Sequence, residues 1–343
     1  AKNYGIKMES AALSGVDVIK NPMFADYFKT WYETYKFPSI RKSTQKRYIT
    51  NYHYIENYFG DTKIKNITRS NYQKFLNYLG KKHAPATVRK TNIMIKSCIG
   101  NAVEDGLVER NFTNRTTIAG NKNAEKHVQY LNMKELCKLV QLCLTDLNTR
   151  YTSKYLVLAG IFTGARIGEL SALKWSDIDF KNNTININKS WNCNTKKLGP
   201  TKTKSSVRKI KVNSFLLKTI KQLKANNLDF VFAIPRTELP PSSSAVNQFL
   251  RRTLDQGNIY KQDFHFHSLR HTHVAYLLSK GVDISAISKR LGHANIATTL
   301  KIYAYLLDEY KEKQDSKIIN SLDDICATNV QHGQNYSSSL ELH

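Results

Sequence analysis

The chain has 343 residues, of which 41 % are hydrophobic, and its formal net charge is +25. This apolar content is that of a folded chain long enough for two domains, which excludes an intrinsically disordered protein. No apolar run approaches the ~20 residues of a membrane span and no signal peptide is visible, so neither a membrane protein nor a secreted one is expected. Residues 1–126 hold 22 basic and 10 acidic side chains and residues 127–343 hold 30 and 17, so both halves favour a polyanionic partner.

Residues 1–20 carry few large apolar side chains, and we interpret them as a linker or as the remnant of a missing N-terminal module. The sequence begins with Ala1 and not with Met, so we expect it to be part of a longer protein. Apolar residues at helical spacing then predict a domain of four helices over residues 21–112. These helices are predicted to begin near Phe24, Ser43, Thr68 and Thr87.

Basic residues follow the solvent faces of these predicted helices. Any one of them fits an ordinary solvated helix face, whereas the set together fits contacts with nucleic-acid phosphates. The candidate contact residues are Arg41, Lys42, Lys46, Arg47, Arg89, Lys90 and Lys96, with Lys204 in the second half of the chain.

The second half predicts a helical domain that contains a small sheet. Residues 113–128 are expected to be an interdomain linker, followed by a domain over residues 129–325 and a mobile polar tail over residues 326–343. Alternating apolar residues predict a strand over residues 177–188 and a returning strand over residues 207–212. Helices are predicted over residues 136–144, 155–162, 213–225, 244–256, 268–280, 284–291 and 296–307. The predicted fold class is therefore mainly α with a small antiparallel β-sheet, in two domains.

Six side chains of the second half combine the groups needed to break a phosphodiester without a metal ion. Two guanidinium groups can hold a phosphate bidentately. A lysine and two histidines can move protons or donate hydrogen bonds, and a tyrosine can attack the phosphorus and hold the phosphate covalently. The six residues are Arg166, Lys202, His267, Arg270, His293 and Tyr303.

Two of the local motifs also have simpler interpretations. In TGARIGEL, Arg166 and Glu169 are three residues apart, so Glu169 can orient the arginine, or the two form an ordinary surface ion pair. In HSLRHTH, His267 and His271 have zinc-like spacing, but no H-E-x-x-H pattern or third ligand is evident. The five cysteines also fit no zinc pattern, and we predict no metal site.

The segments TGARIGEL, TKTKSSVRKI, HSLRHTH, LGHANIATTL and KIYAY, in this order and spacing, resemble the tyrosine recombinases, the phage-type integrases that cut and rejoin DNA. The signatures T-G-x-R-x-x-E and H-x-L-R are both present, and the resemblance spans roughly residues 22–325. It implies a core-binding DNA-binding domain over residues 21–112 and a catalytic domain over residues 129–325. Integrases of phages and conjugative transposons are the branch that the chain resembles most.

The resemblance implies a role for each of the six residues. The phenol of Tyr303, or of Tyr305 as the alternative, would attack a DNA phosphate and form a 3′-phosphotyrosine. Lys202, or Lys204 as the alternative, would protonate the departing 5′ oxygen. The other four would stabilise charge on the phosphate. They are Arg166, His267, Arg270 and His293.

The resemblance also implies partners and leaves two alternative functions. It implies double-stranded DNA as the substrate, no cofactor, and a homotetramer on DNA in which residues 305–325 contact a neighbouring protomer. An accessory DNA-bending or excision factor is a further candidate partner, and a bacterial or phage-encoded protein in the cytoplasm, on the nucleoid, is expected. The alternatives are a type IB topoisomerase, which relaxes DNA with the same chemistry, and a catalytically silent DNA-binding accessory protein.

Overall fold

The computed structural model describes residues 21–125, 128–297 and 299–300, together with residues 319 and 322. Residues 1–127 and residues 128–343 form two compact units, called here the N-terminal and the C-terminal unit. The predicted fold class is confirmed, because the described residues are mostly helical with a small antiparallel sheet. No helix among them is long and apolar enough to span a membrane.

Over residues 21–125 the N-terminal unit has four α-helices, as predicted. They are α1 (Phe24–Trp31), α2 (Lys42–Phe59), α3 (Arg69–Lys82) and α4 (Pro85–Glu104). The side chain of Thr68 accepts a hydrogen bond from the backbone N–H of Asn71, which caps α3 as expected. The predicted start of the fourth helix at Thr87 is wrong by two residues, because Pro85 occupies the first turn, where the missing N–H of proline has no cost.

The core of the N-terminal unit is aromatic. Phe24, Phe28, Phe75 and Tyr72 are fully buried and Trp31 is nearly so, and their rings meet in edge-on and tilted pairs. All the basic residues proposed for this unit lie outside that core, with exposed side chains. They are Arg41, Lys42, Lys46, Arg47, Arg89, Lys90 and Lys96.

The C-terminal unit is built around one helix that is buried on all sides. Within residues 128–297 its helices are α5 (Met133–Leu144), α6 (Ser153–Thr163), α7 (Ile167–Ser171), α8 (Ser214–Lys221), α9 (Ser243–Gln256), α10 (Phe266–Ser279) and α11 (Ile284–Leu291). Eight of the eleven residues of α6 are buried, as expected for a helix that is apolar around its whole circumference. Gly160 allows α10 to pack closely against it, since a Cβ there would lie 2.6 Å from the ring of Phe266.

Two small antiparallel sheets lie between α7 and α8. Their strands are β1 (Ile178–Asp179), β2 (Thr184–Ile187), β3 (Lys189–Asn192), β4 (Lys197–Pro200) and β5 (Arg208–Lys211). The first sheet has the order β1-β2-β5, with Ile185 opposite Ile210, and the second pairs β3 with β4. The returning strand over residues 207–212 is confirmed as β5.

The single strand predicted over residues 177–188 is wrong. The Asp179 carboxylate accepts hydrogen bonds from the backbone N–H groups of Lys181 and Asn182, and Asn183 has φ +53°, so the chain turns between β1 and β2. The polar stretch that follows holds the β3–β4 hairpin, which alternation did not predict because Trp191 is its only buried residue.

The helices after the sheet differ slightly from their predicted bounds. α8 gives way to a 3₁₀ turn over Gln222–Asn226, and α10 begins two residues before the predicted start at residue 268. Of the predicted helix over residues 296–307, the structure describes helical backbone at residues 297, 299 and 300. Residues 305–325 and the tail over residues 326–343 lie outside the described part of the chain, apart from residues 319 and 322.

Candidate active site

Arg166 lies at the N-cap of α7, directly after the turn that ends α6. Gly164 makes that turn with φ +64°, and a Cβ there would lie 2.7 Å from both His273 and Leu291, so only glycine fits. The Arg166 side chain is 26 % exposed. Its guanidinium is therefore held by the protein on one side and accessible on the other.

Glu169 orients Arg166, as the sequence motif predicted. The carboxylate is only 2 % exposed and accepts from Arg166 Nη1 at 2.7 Å and from the Arg166 backbone N–H at 3.0 Å. Burial alone would raise the pKa of Glu169, but the guanidinium groups of Arg208 and Arg166 hold it below its usual value. Glu169 is therefore an ionised, buried group and not half of a surface ion pair.

Arg208 is a residue of this site that the sequence interpretation missed. It donates from Nη2 to Glu169 Oε2 at 3.0 Å, and its side chain is 7 % exposed. The segment TKTKSSVRKI contains it, but nothing in the spacing relates position 208 to position 169. A buried glutamate needing a second cation is the signal that would have pointed to it.

Lys202 lies in the loop that joins β4 to β5, and its side chain is exposed. This loop is connected to the arginine, because Ser206 Oγ accepts from Arg166 Nη1 at 3.2 Å and lies 2.9 Å from Thr203 Oγ1. Lys204 is also exposed and begins the 3₁₀ turn Lys204–Ser206. Both lysines therefore remain candidates for the proton donor.

Arg270 is the deeply buried member of the arginine pair, at 2 % exposure. Its Nη1 donates to the Gly164 carbonyl at 2.8 Å and its Nη2 to the Leu291 carbonyl at 2.7 Å. These bonds join the turn before Arg166 to the end of α11. Burial, and then the charge of Arg166, lower the pKa of Arg270, although a guanidinium stays protonated at neutral pH.

His267 and His271 stand one helical turn apart on α10, with ring centroids 5.1 Å apart. His267 is open to solvent on one side. Its pKa is nevertheless well below the usual range, because of burial on the other side and then the neighbouring side chains of His271, Arg270 and Arg166. The Nδ1 of His271 is buried without a hydrogen-bond partner. Among the described residues, no group of three or more His, Cys, Asp or Glu side chains could hold a metal ion.

His293 follows the turn at Gly292 that ends α11. Its Nδ1 lies 2.8 Å from the hydroxyl of the buried Thr299. Burial, followed by the charges of Arg270 and Arg166, lowers the pKa of His293 to about 4. Tyr303 and its alternative Tyr305 lie outside the described residues.

Four of the predicted residues lie close together. Arg270 donates hydrogen bonds to the carbonyls of Gly164, two residues before Arg166, and of Leu291, two residues before His293. His267 lies three residues before Arg270 on α10. Arg166 and Arg270 each lower the pKa of both His267 and His293. The lowered pKa values leave the two histidines neutral at pH 7, so each can offer one N–H donor beside two fixed cations. Such a pocket suits an anion with several oxygens, of which a phosphate is the natural example.

Known proteins with similar sequences support this assignment. The phage integrase family matches residues 129–309, and the N-terminal SAM-like domain of phage integrases matches residues 23–80. The integrase of Staphylococcus phage L54a is 31 % identical over 218 residues, which cover 57 % of this chain but only 61 % of that protein. The ICEBs1 integrase of Bacillus subtilis (strain 168) is 27 % identical over 298 residues, covering 82 % of this chain and 77 % of that protein.

Solved structures share the fold. The Tn1549 transposon integrase in complex with a circular intermediate DNA superposes with a TM-score of 0.72 at 17 % identity, covering 82 % of this chain and 95 % of that one. A lambda integrase tetramer bound to a Holliday junction gives a TM-score of 0.63 at 18 % identity, covering 85 % and 80 %.

A helical N-terminal unit followed by a mixed unit, together with these family matches, identifies the chain as a tyrosine recombinase. The family match covers more than half of the sequence. The chain belongs to the phage integrase family.

Proposed function

We propose that this chain is a site-specific recombinase that integrates and excises a mobile element through a covalent 3′-phosphotyrosine intermediate. The observation that carries the proposal is that Arg270 hydrogen-bonds the backbone beside both Arg166 and His293, with His267 on the same helix as Arg270. Relatives named as integrases of a phage and of ICEBs1 support the mobile-element role.

In the proposed reaction the phenol oxygen of Tyr303 attacks the scissile phosphorus. The new bond joins the tyrosine to the 3′ side of the DNA, and the bond to the 5′ oxygen breaks. Arg166 and Arg270 stabilise the negative charge that builds on the non-bridging oxygens. The phosphoester bond energy is kept in the covalent link, so a 5′ hydroxyl from another strand can attack the phosphotyrosine and rejoin the DNA.

Proton transfers accompany both bond changes. The departing 5′ oxygen needs a proton, and Lys202, on the loop linked to Arg166 through Ser206, is the proposed donor. His267 is neutral at pH 7, so it can donate a hydrogen bond to the phosphate or take up a proton. Because its pKa is lowered, His267 enters the proposed reaction as a neutral imidazole.

We also propose that the two units divide the DNA contacts between a core-binding domain and a catalytic domain. The match of residues 23–80 to a phage integrase N-terminal domain supports this division. The seven exposed basic residues of the N-terminal unit are the proposed phosphate contacts there.

Exchange between two DNA duplexes requires four active sites, so the proposed working form is a tetramer. The segment over residues 305–325 is proposed to contact a neighbouring protomer. An apolar groove of about 980 Å³ on the C-terminal unit is the proposed receiving surface, lined by Leu136, Val140, Leu144, Tyr276 and Leu277 among others. The tetramer of lambda integrase on a Holliday junction supports this assembly.

A nicked DNA substrate tests the proposed chemistry directly. Cleavage beside the nick lets a short DNA fragment diffuse away, which traps the covalent protein–DNA adduct. The adduct should form with the wild type and with Tyr305→Phe, and should be lost with Tyr303→Phe. An undiminished adduct with Tyr303→Phe, or none with the wild type, would reject the proposal.

A further inference from the structure

Arg208 occupies the first position of β5, where its guanidinium contacts three separate segments of the site. Nη2 donates to Glu169 Oε2 at 3.0 Å, Nη1 to the Ser206 carbonyl at 2.8 Å, and Nε to the Arg290 carbonyl at 2.6 Å. The Arg208 side chain is 7 % exposed, and each of its three nitrogens donates a hydrogen bond to the protein. We therefore expect it to act on the reaction through these partners.

Each partner belongs to a segment that carries a proposed catalytic residue. Glu169 holds Arg166, and Ser206 closes the turn that follows Lys202. Arg290 lies at the end of α11, three residues before His293. One side chain therefore fixes the relative positions of the arginine, the lysine loop and the segment that leads to the nucleophile.

The charge of Arg208 matters as well as its geometry. The Glu169 carboxylate is shared between two guanidinium groups, with Oε1 on Arg166 and Oε2 on Arg208. Without Arg208, Oε2 would keep only its bond from the Arg166 backbone N–H and could also accept from the Arg166 guanidinium. A closer pair with Arg166 would neutralise more of the positive charge that the arginine otherwise directs at a phosphate.

We infer that Arg208 is a positioning residue for DNA cleavage. It divides the charge of Glu169 so that Arg166 remains available to the scissile phosphate, and it holds the Lys202 loop against the end of α11. This inference rests on the proposed function, because it concerns the same cleavage step.

The test compares the rate of adduct formation on two nicked substrates in single-turnover experiments. One carries the ordinary scissile phosphodiester, and the other a methylphosphonate, which lacks the negative charge and so needs less neutralisation by arginine. Arg208→Met should be slower on the phosphodiester by about 100-fold, as expected for a misplaced catalytic group. On the methylphosphonate, Arg208→Met should be slower than the wild type by about tenfold or less. Its affinity for DNA should change by about threefold at most. Arg208→Lys keeps the positive charge but cannot reproduce the three hydrogen bonds of the guanidinium. Its cleavage rate should fall between those of the wild type and Arg208→Met.

Lys189→Met is the matched control. It breaks another partly buried ion pair of the same unit, with Asp177. Within the described part of the chain neither side chain hydrogen-bonds Glu169 or α11, so both rates should stay near the wild type. An equal loss for Arg208→Met on both substrates, or rates like those of the control, would overturn the inference. Should Arg208→Met fail to fold, as judged by circular dichroism, Arg208→Lys takes its place and equal losses overturn the inference in the same way. Wild-type protein that forms no adduct on the phosphodiester would reject the proposed function itself, and this inference with it, before any variant is compared.

Discussion

Two lysines separated by one residue are the candidates for the proton donor. Lys202 and Lys204 are both exposed, on the loop that Ser206 links to Arg166. A proton donor is needed only when the departing group is a strong base and therefore a poor leaving group. An alkoxide is such a group, whereas a thiolate, with a thiol pKa of roughly 8.5, leaves without help.

Lys202→Ala should therefore slow adduct formation by about 10²–10⁴-fold on ordinary DNA. Replacing the bridging 5′ oxygen at the scissile position by sulfur should restore most of that rate. Lys204→Ala is the control and should behave like the wild type on both substrates. The reverse pattern, with Lys204→Ala slow and rescued by sulfur, would assign the role to Lys204.

His273 is a buried residue of α10 with a structural role. Its Nδ1 lies 2.8 Å from the Ile161 carbonyl, and its Nε2 accepts from Arg290 Nε at 3.2 Å. Burial, and then the charge of Arg290, lower the pKa of His273 to about 4. The folded protein thus binds fewer protons here than the unfolded chain, whose histidines titrate near 6.5.

Because the unfolded state takes up the proton first, the contribution of His273 to stability is present above pH ~6.5 and is lost as pH falls toward 4. His273→Gln cannot titrate. The free energy of unfolding of the wild type, measured in urea, should fall more steeply than that of His273→Gln, by about 1.4 kcal/mol per pH unit between pH 6.5 and 4. Parallel pH dependence of the two proteins would contradict this account.

For single residues, the sequence predicted those that belong to the family signatures. It missed residues that connect the signature segments to one another in the folded protein. Arg166 and Glu169 are three residues apart, so their contact follows from helix geometry. Arg208 meets the same carboxylate from a strand 39 residues further along the chain. Such a contact depends on how β5 packs against α7, which no local spacing reveals.

At the scale of elements, the end of α11 packs directly on the Lys202 loop. Gly292 has φ +67°, and a Cβ there would lie 2.7 Å from the Ser205 carbonyl oxygen and 2.9 Å from Ser206 Cα. Backbone atoms cannot move aside as a side chain can. The contact therefore fixes His293 relative to the loop that carries the proton donor.

Gly292→Ala should destabilise the C-terminal unit by roughly 1–3 kcal/mol and slow cleavage, because it adds a clash to the cost of the positive φ. Gly106→Ala is a matched control, with φ +69° but nothing within 4 Å of the added Cβ. It should carry the backbone strain alone and retain the cleavage rate. Thermal unfolding and adduct formation measure the two effects, and equal cleavage by both variants would show that the loop contact is unimportant.

Element prediction succeeded where a pattern was long and failed where a turn interrupted it. The segment over residues 284–291 matches α11 residue for residue, because its apolar spacing and the following glycine mark both ends. The strand predicted over residues 177–188 is two strands, because Asp179 stabilises a turn inside it. Hydrogen bonds between a side chain and the backbone of a turn cannot be predicted from the alternation of apolar residues.

At the scale of the whole molecule, the net charge of +25 is shared by both halves, which fits two units that each meet DNA phosphates. Assembly of four such molecules needs contacts between protomers. The proposed surface is the groove between α5, α6 and α10, which is mostly apolar but includes Lys211 and Arg290 in its lining, and Met133, another lining residue, is 51 % exposed.

A chain lacking residues 305–325 should lose two-site recombination while keeping most of its affinity for a single DNA site. Met133→Glu should have the same effect in a milder form, because it places a charge in the groove with little cost to the fold. Native gels with one or two DNA sites measure both quantities. Equal loss of single-site binding and assembly would count against the groove as the receiving surface.

The identity of the residue joined to DNA is the sharpest test of the proposed cleavage reaction. The trapped adduct would be digested with protease and nuclease, and the nucleotide-bearing peptide located by mass spectrometry. We predict the nucleotide on Tyr303. A nucleotide on Tyr305, or on any residue other than Tyr303, would contradict the account.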